Sequence, residues 1–289
     1  MIPPNTLVVE APAKVNLSLR VLGRRQDGYH DIESLMAPLS LADRLRVHAH
    51  ADPTEFRTLS LSLEVRGDPG LVRPVPTDDS NLVIRAALAL AERAEIRGFA
   101  EFVLDKRTPT AAGLGGGSSD AAAALRALNA LWGCSLDEGE LREVGAGVGS
   151  DVPALLGDGP VLVSGRGEIV VRSAVAAFDL VLVPFDFSVN TADAYRWWDE
   201  DGGPHDEDTH FPNDLAEPVM KRHPRIRDAR DLLRTARVPG VLTSGSGPTV
   251  AGILSPGAGR LDPAMERSLE ALSGRPVLYA SLRGTGPGS

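Results

Sequence analysis

The chain has one cysteine, Cys134, in 289 residues. That excludes an intrachain disulfide and a cysteine-based zinc cluster, and it fits a reducing compartment. Positive charge is in deficit: the formal net charge is −9. A broad attraction to nucleic acid or to an anionic membrane is therefore not expected, and any phosphate binding has to come from local donors. No apolar window reaches the length of a membrane span, and the start, MIPPNTLVVEAPAK, lacks the basic and apolar regions of a leader. The expectation is a cytoplasmic protein. No GxxxxGK[ST] occurs, so the common phosphate loop is missing. Aromatic residues make up only 4%, which makes each exposed-looking Tyr or Trp a question. No internal repeat is found. What remains, 43% hydrophobic and 24% charged, is ordinary for a globular chain of roughly two domains.

One stretch organises the rest: PTAAGLGGGSSDAAAALRALNALWG, from Pro109 to Gly133. Gly113, Gly115, Gly116 and Gly117 precede a run of strong helix formers, so a loop opens directly into a helix. Residues without Cβ let backbone come close to a ligand, and Ser118, Ser119 and Asp120 fall where an N-cap and first turn belong. Free amides at the positive end of the helix dipole make an anion site. A flexible connection is the plain alternative, but linkers do not usually carry a strong helix immediately behind packed glycines. The dinucleotide fingerprint is excluded, since GLGGGS lacks the third glycine and the acidic follow-up. The spacing predicts a helix to Trp132, with Gly133 as its cap.

Upstream, TLVVE and KVNLSLRVL read as strands broken at Pro12. In the second, Val15, Leu17, Leu19 and Val21 alternate with Lys14, Asn16, Ser18 and Arg20. Lys14 and Asn16 then project side by side, about 7 Å apart, and an amphipathic surface strand explains them adequately. Asp27-Gly28 signals a hairpin that leaves Tyr29 and His30 at the sheet rim. His48 and His50 share a strand face but have no third ligand in view. TDDSN leads into a helix ending near Arg97-Gly98, EFVLDKRTPT is the strand feeding the glycine loop, and LDEGELREVGAGVG is a short helix. In GSDVPALLG, Asp151 is explained by an N-cap role, yet its place between Gly149 and Pro153 also suits a fixed, loop-borne carboxylate.

Beyond Gly157 short strands take over (PVLVSG, EIVVRS, DLVLVPF), and a boundary is expected near 157/158. TADAYRWWDE and PRIRDARDLLRTARVPG read as helices. The acidic stretch from Asp199 to His210 reads as a solvated, mobile loop. VLTSGSGPTVAGIL is strand, glycine turn and strand, either a plain hairpin or a second loop offering amides. A helix, LDPAMERSLEAL, a strand, RPVLYASL, and a frayed tail, GTGPGS, finish the chain.

Three stretches taken together, APAKVNLSLRVLGRRQDGYHDIESLM (11–36), PTAAGLGGGSSDAAAALRALN (109–129) and LTSGSGPTVAG (242–252), resemble the three motifs of the GHMP small-molecule kinases. The resemblance implies an α+β, two-domain GHMP kinase fold. Its N-terminal part (1–157) would be a ribosomal-protein-S5-domain-2-like α/β domain and its C-terminal part (158–289) a ferredoxin-like α+β domain, with the active site in the cleft between. It implies ATP and Mg²⁺, with Pro109, Thr110, Ala111, Ala112, Gly113, Leu114, Gly115, Gly116, Gly117, Ser118 and Ser119 as the phosphate loop. It also implies a catalytic pair, Asp151 as acceptor of the attacking hydroxyl's proton and Lys14 as the cation that keeps this carboxylate ionised and offsets transferring charge. Metal ligands are not indicated.

PAK-N-L beside DGYH-D-ES-M points, within the family, to members whose acceptor is a sugar alcohol carried on cytidine diphosphate. Tyr29 and Tyr195 would then sandwich the cytosine, His30 would bond its polar edge, and Asn16 would contact the sugar-alcohol end. A homoserine- or mevalonate-type kinase, or a nucleotide sensor without catalysis, stay open beside it. A monomer or weak homodimer is expected, with no nucleic-acid or membrane partner. An acid at position 120 would repel triphosphate unless Mg²⁺ lies near or the side chain turns back to cap the helix.

Overall fold

A computed structural model describes residues 4–69, 75–255 and 259–282; the tail expected to fray, 284–289, lies outside them. The chain divides into two compact units by its contacts. The first comprises Met1–Ala13, Ala42–Thr110 and Gly116–Asp158, and the second Lys14–Leu41, Ala111–Gly115 and Gly159–Ser289. The functional division at 157/158 stays a proposal of ours; the contact grouping differs from it by assigning residues 14–41 and 111–115 to the second unit.

Two long strands contribute to both units: β1 (Thr6–Arg24) and β2 (His30–Ala51). β1 runs through Pro12, where the sequence suggested a break. It pairs with β2 alone among the sheet strands, and on the unpaired side of such a strand the N–H that proline lacks is not needed. The turn between them is the Asp27-Gly28 turn, with Gly28 at φ +86°.

In the first unit, β3 (Leu59–Gly67) lies parallel to β4 (Gly98–Lys106), and β4 runs antiparallel to β2 from Arg44↔Asp105 to Ala51↔Gly98. Helices α1 (Leu82–Arg93), α2 (Gly116–Leu131) and α3 (Glu138–Val148) complete it. The α2 stretch Ala121 to Ala124 is fully buried, in one core with Leu45, Val47, Phe102, Leu104, Leu90 and Leu141. Methyl-sized side chains let a helix approach its neighbours closely, and each large residue buried here contributes about 1.5–3 kcal/mol. Helix starts follow their local signals: Asn81 caps α1, and Asp137 with Glu140 forms a reciprocal capping box on α3. α1 stops at Arg93, short of the expected Gly98, because Glu95 already has φ +52°.

In the second unit, β2 pairs with β5 (Val161–Gly165), and β5 with β6 (Ile169–Arg172), both antiparallel. A separate antiparallel sheet has the order β10-β7-β9-β8, with β7 (Asp179–Val183), β8 (Gly240–Thr243), β9 (Val250–Ile253) and β10 (Leu278–Ser281). Helices α4 (Thr191–Glu200), α5 (Ala216–Arg222), α6 (Pro224–Thr235) and α7 (Pro263–Ser273) belong here. Their core joins Val181, Val183, Phe185, Met220, Ile226 and Leu269. Among the described residues no helix is long and apolar enough to cross a membrane.

Of the acidic stretch 199–210, only 201–210 form a loop, all of it partly or fully exposed, and that loop is held by side-chain bonds to its own backbone. Asp199 and Glu200 are the last residues of α4. Asp208 Oδ1 accepts from the amides of His210 (2.8 Å) and Phe211 (3.0 Å), and Asp206 from those of Asp208 and Asn213 (3.0 Å each). Buried Asp214 accepts from the Asp206 amide at 2.9 Å and from Arg20 at 2.8 Å. The loop is nevertheless ordered locally, because carboxylates of half-exposed residues fix backbone amides within it.

Candidate active site

The glycine loop bends where its composition allows. Gly113 and Gly115 have φ +77° and +67°, a region open to glycine at little cost. Space demands the same residues. A Cβ on Gly113 would stand 2.6 Å from the carbonyls of both Ser244 and Gly247, and one on Gly115 would stand 2.6 Å from Cγ of Lys14. Ala111 adopts φ +54° without that freedom, a local strain held by the surrounding contacts.

Lys14 is therefore not on a surface strand. It and Asn16 are buried at 4% and 3% exposure. The Lys14 amide donates to Leu114 O at 2.9 Å, and its ammonium donates to Asn16 Oδ1 at 2.6 Å. Asn16 Nδ2 in turn donates to Ser34 Oγ at 2.8 Å, and Ser34 Oγ to Ser18 O at 2.5 Å. The second glycine turn closes over the same groups. Ser244 Oγ donates to Gly113 O at 3.0 Å and accepts from the Asn16 amide at 3.4 Å. A Cβ on Gly245 would lie 3.3 Å from Lys14 Nζ. Asn213 pins that turn, donating to Thr243 O and Gly245 O at 2.8 Å each. So the third motif is more than a plain hairpin: its turn packs on the ammonium and on the first loop. Asn213 was missed, and nothing local in FPNDLAEP marks a residue whose partners are 30 and 32 positions away.

α2 begins at Gly116, so Ser118, Ser119 and Asp120 are its third to fifth residues rather than its cap. Its first amides still point out of its N-terminal end. Asp120 turns inward and accepts from Lys106 Nζ at 2.8 Å, and Lys106 also donates to Asp43 Oδ2. Asp43 Oδ1 accepts from the amides of Arg107 (2.6 Å) and Thr108 (2.7 Å). Burial above all, aided by the charge of Asp43 and opposed by Lys106, pushes the Asp120 carboxyl up to about 7. Burial also pulls the Lys106 ammonium down, yet the two carboxylates outweigh it and hold its pKa above the ordinary value.

Asp151 is half-buried in the first unit, between the Gly149 end of α3 and a 3₁₀ turn, Pro153–Leu155, whose N-cap is Val152. The N-cap explanation for Asp151 thus does not hold. A Cβ on Gly149 would lie 3.9 Å from Ser118 Oγ, which sets the turn bearing Asp151 beside the start of α2.

In the second unit, the His30 ring stacks on Tyr195 (centroids 4.9 Å, 19° between planes) and meets Trp198 edge-on at 5.7 Å. Its Nε2 lies 2.9 Å from Asp199 Oδ1, a partner the sequence reading consigned to the acidic loop. Tyr29 is 58% exposed, and Arg166 lies over its ring at 5.0 Å. The structure thus brings His30 to Tyr195 and Arg166 to Tyr29.

Each unit thus contributes a part of stated chemistry: the first, a helix start whose amides suit phosphate, and the second, a buried cation against the glycine loop. Comparison with known proteins adds to this. Residues 81–159 match the family described as "GHMP kinases N terminal domain". The chain is similar to 4-diphosphocytidyl-2-C-methyl-D-erythritol kinase of Anaeromyxobacter sp. (strain K), with 42% identity over 88% of this chain and 82% of that protein. It is 36% identical to the protein of the same name from Geobacillus thermodenitrificans, over 93% of each. Among solved structures, a 4-(cytidine 5'-diphospho)-2C-methyl-D-erythritol kinase superposes with a TM-score of 0.75 at 32% identity, over 97% of this chain and all of that one.

Proposed function

That the chain belongs to the GHMP kinases, and within them to the 4-diphosphocytidyl-2-C-methyl-D-erythritol kinases, is the premise from which we propose its reaction and the residues that carry it. The fold is the GHMP kinase fold and the protein is a phosphotransferase acting on an alcohol. The γ-phosphoryl group of ATP passes to the 2-hydroxyl of 4-(cytidine 5'-diphospho)-2-C-methyl-D-erythritol, a step of non-mevalonate isoprenoid synthesis. Residues 109–119 hold the β and γ phosphates through backbone amides. Asp151 takes the hydroxyl proton, and Lys14 offsets the charge that spreads over the transferring group. Asn16 meets the sugar alcohol, Tyr29 and Tyr195 flank the cytosine, and His30 bonds its edge.

The observation that carries this reading is the contact between Lys14 and the glycine loop: its amide on Leu114 O, its stem against Gly115, its ammonium on Asn16. A loop built for phosphate and a cation built into the same bend supply alignment and neutralisation, the two things phosphoryl transfer needs most. Mg²⁺ is proposed as the companion of ATP. Asp120, the acid nearest the loop in sequence, is committed to Lys106 and does not fit the part of a ligand, so no step is routed through the ion. A cytoplasmic location and a monomer or weak homodimer complete the proposal.

The test is purified protein with ATP, Mg²⁺ and three acceptors, the cytidine-diphosphate alcohol, homoserine and mevalonate. Transfer to the first alone is expected. Transfer to either of the others instead, or to none, overturns the assignment.

A further inference from the structure

The chain on either side of the loop's central residues, at 107–108 and from 116 onward, is anchored by a cluster that the reaction does not use. Lys106 ends β4, Asp43 lies on β2, and Asp120 is the fifth residue of α2; all three are at most 6% exposed. Asp43 directly fixes the two amides that lead the chain out of β4, Asp120 lies on the helix that the chain then enters, and the Lys106 ammonium donates to both carboxylates. The first residue of α2 rests on this ammonium, since a Cβ on Gly116 would stand 3.2 Å from Lys106 Nζ and 3.0 Å from Thr108 Cγ2. Asp120 Oδ1 and Thr108 Oγ1 are buried without a hydrogen-bond partner among the described residues, so the cluster is not a saturated network. The groups facing Asp120 are Lys106 from β4 and Asp43 from β2. From α1 and α3 the buried faces are apolar: Val83, Ala86, Ala87 and Leu90, and Leu141, Gly145 and Val148.

We propose that Lys106, Asp43 and Asp120 form the positioning element of the phosphate loop, a buried cluster whose net charge, zero or −1 according to the proton on Asp120, sets how tightly the loop holds the nucleotide phosphates. The proposal rests on the assignment of residues 109–119 to ATP. One ammonium between two carboxylates fixes the amides before the nucleotide arrives, which removes a cost of ordering them on binding. With Asp120 ionised, an uncompensated negative charge lies behind the helix end that must receive a polyanion. Binding of ATP then favours the protonated carboxyl, and by linkage protonation favours ATP. Affinity falls as pH rises through the range in which Asp120 loses its proton, about 7.

Calorimetry of ATP binding to wild type and Asp120→Asn, from pH 6 to pH 9, reads this directly. The amide has the shape of the neutral carboxyl and cannot ionise. The ratio of the two dissociation constants is expected to rise from near unity at pH 6 to about tenfold above pH 8. Titration of ATP itself is common to both proteins and cancels. Wild type should also take up protons on binding at pH 8, where the ATP terminal phosphate is already ionised, a readout that stands if the variant folds poorly. The KM for the acceptor should be the same in both. A ratio that does not change with pH, or no proton uptake at pH 8, overturns the proposal. Gly117→Val separates this from the assignment beneath it. Gly117 is exposed, and the nearest atom to a Cβ there is 3.6 Å away, so the variant folds but puts bulk before the first amides. Loss of ATP binding in Gly117→Val with a flat ratio removes only the proposal, whereas unaltered ATP binding removes the assignment and the proposal with it.

Discussion

Two lysines are buried to nearly the same degree, Lys14 at 4% and Lys106 at 6% exposure, and their surroundings differ in kind. Lys106 lies between two carboxylates, both within hydrogen-bond reach. Lys14 rests against an amide oxygen and the backbone of two glycine turns. A buried ammonium between carboxylates has its charge answered within the protein, and its removal strands those carboxylates in a medium of low polarity. Under the function proposed above, Lys14 serves the chemistry and Lys106 serves stability, and substitutions should divide along that line.

The largest effect is expected on turnover. Lys14→Met and Asp151→Asn should each lower kcat by on the order of 10²- to 10⁴-fold, with ATP affinity in Asp151→Asn nearly intact. Steady-state kinetics beside thermal melts check this, and a Lys14→Met whose defect is confined to KM would make Lys14 an anchor. Lys106→Met should behave in the opposite sense. It leaves Asp43 and Asp120 buried without their cation, so denaturant unfolding should register a loss of about 3–5 kcal/mol. If Lys106→Met were as stable as wild type, the contrast between the lysines would fail.

How much of this could be read from the chain depends on the distance between partners. The α2 helix, its glycine loop, the short helix α3 and the alternation of β1 are signals within a few residues, and they were legible. Lys14 and Asn16 were legible as neighbours on one strand face, but their burial was not, because the turn that covers them is more than 200 residues on. Asp43 and Lys106 are 63 residues apart, and nothing in LADRL announces an acid at 0% exposure. Asp120 illustrates the limit well. The sequence posed its conflict with phosphate, and only coordinates could show the side chain turned to Lys106. α5, with a proline inside seven residues, carried too little periodicity to be recognised.

Smaller changes refine the contrast. Gly113→Ala forces a Cβ against two carbonyls at a φ of +77°, which should cost about 2 kcal/mol or more and lower activity together with stability. Asp120→Asn should act on stability through pH. The carboxyl is raised in the folded state to about 7, so between its ordinary range near 4 and about 7 the folded protein binds more protons than the unfolded one. Stability from this group is full below that window and is lost as pH rises through it. Melting curves at pH 5 and pH 8 should show a drop in wild type that the variant lacks, on the order of 1 kcal/mol or more.

The smallest effect falls on Gly117, and it sharpens the reading of the loop itself. If all its glycines were required by geometry, none would accept a methyl group. Gly117 differs: it lies inside α2, has helical φ, and a Cβ there meets nothing closer than Leu82 Cδ1 at 3.6 Å, an ordinary contact. Gly117→Ala should therefore stabilise the helix slightly, by about 0.5 kcal/mol or less, since alanine loses less backbone freedom than glycine in a helix. If the melt rises while the KM for ATP also rises, the residue is glycine for the sake of the phosphates. If the melt rises and ATP kinetics do not change, only Gly113 and Gly115, with Gly116 over the lysine, are held by the backbone, and the loop's demand for glycine ends where the helix begins.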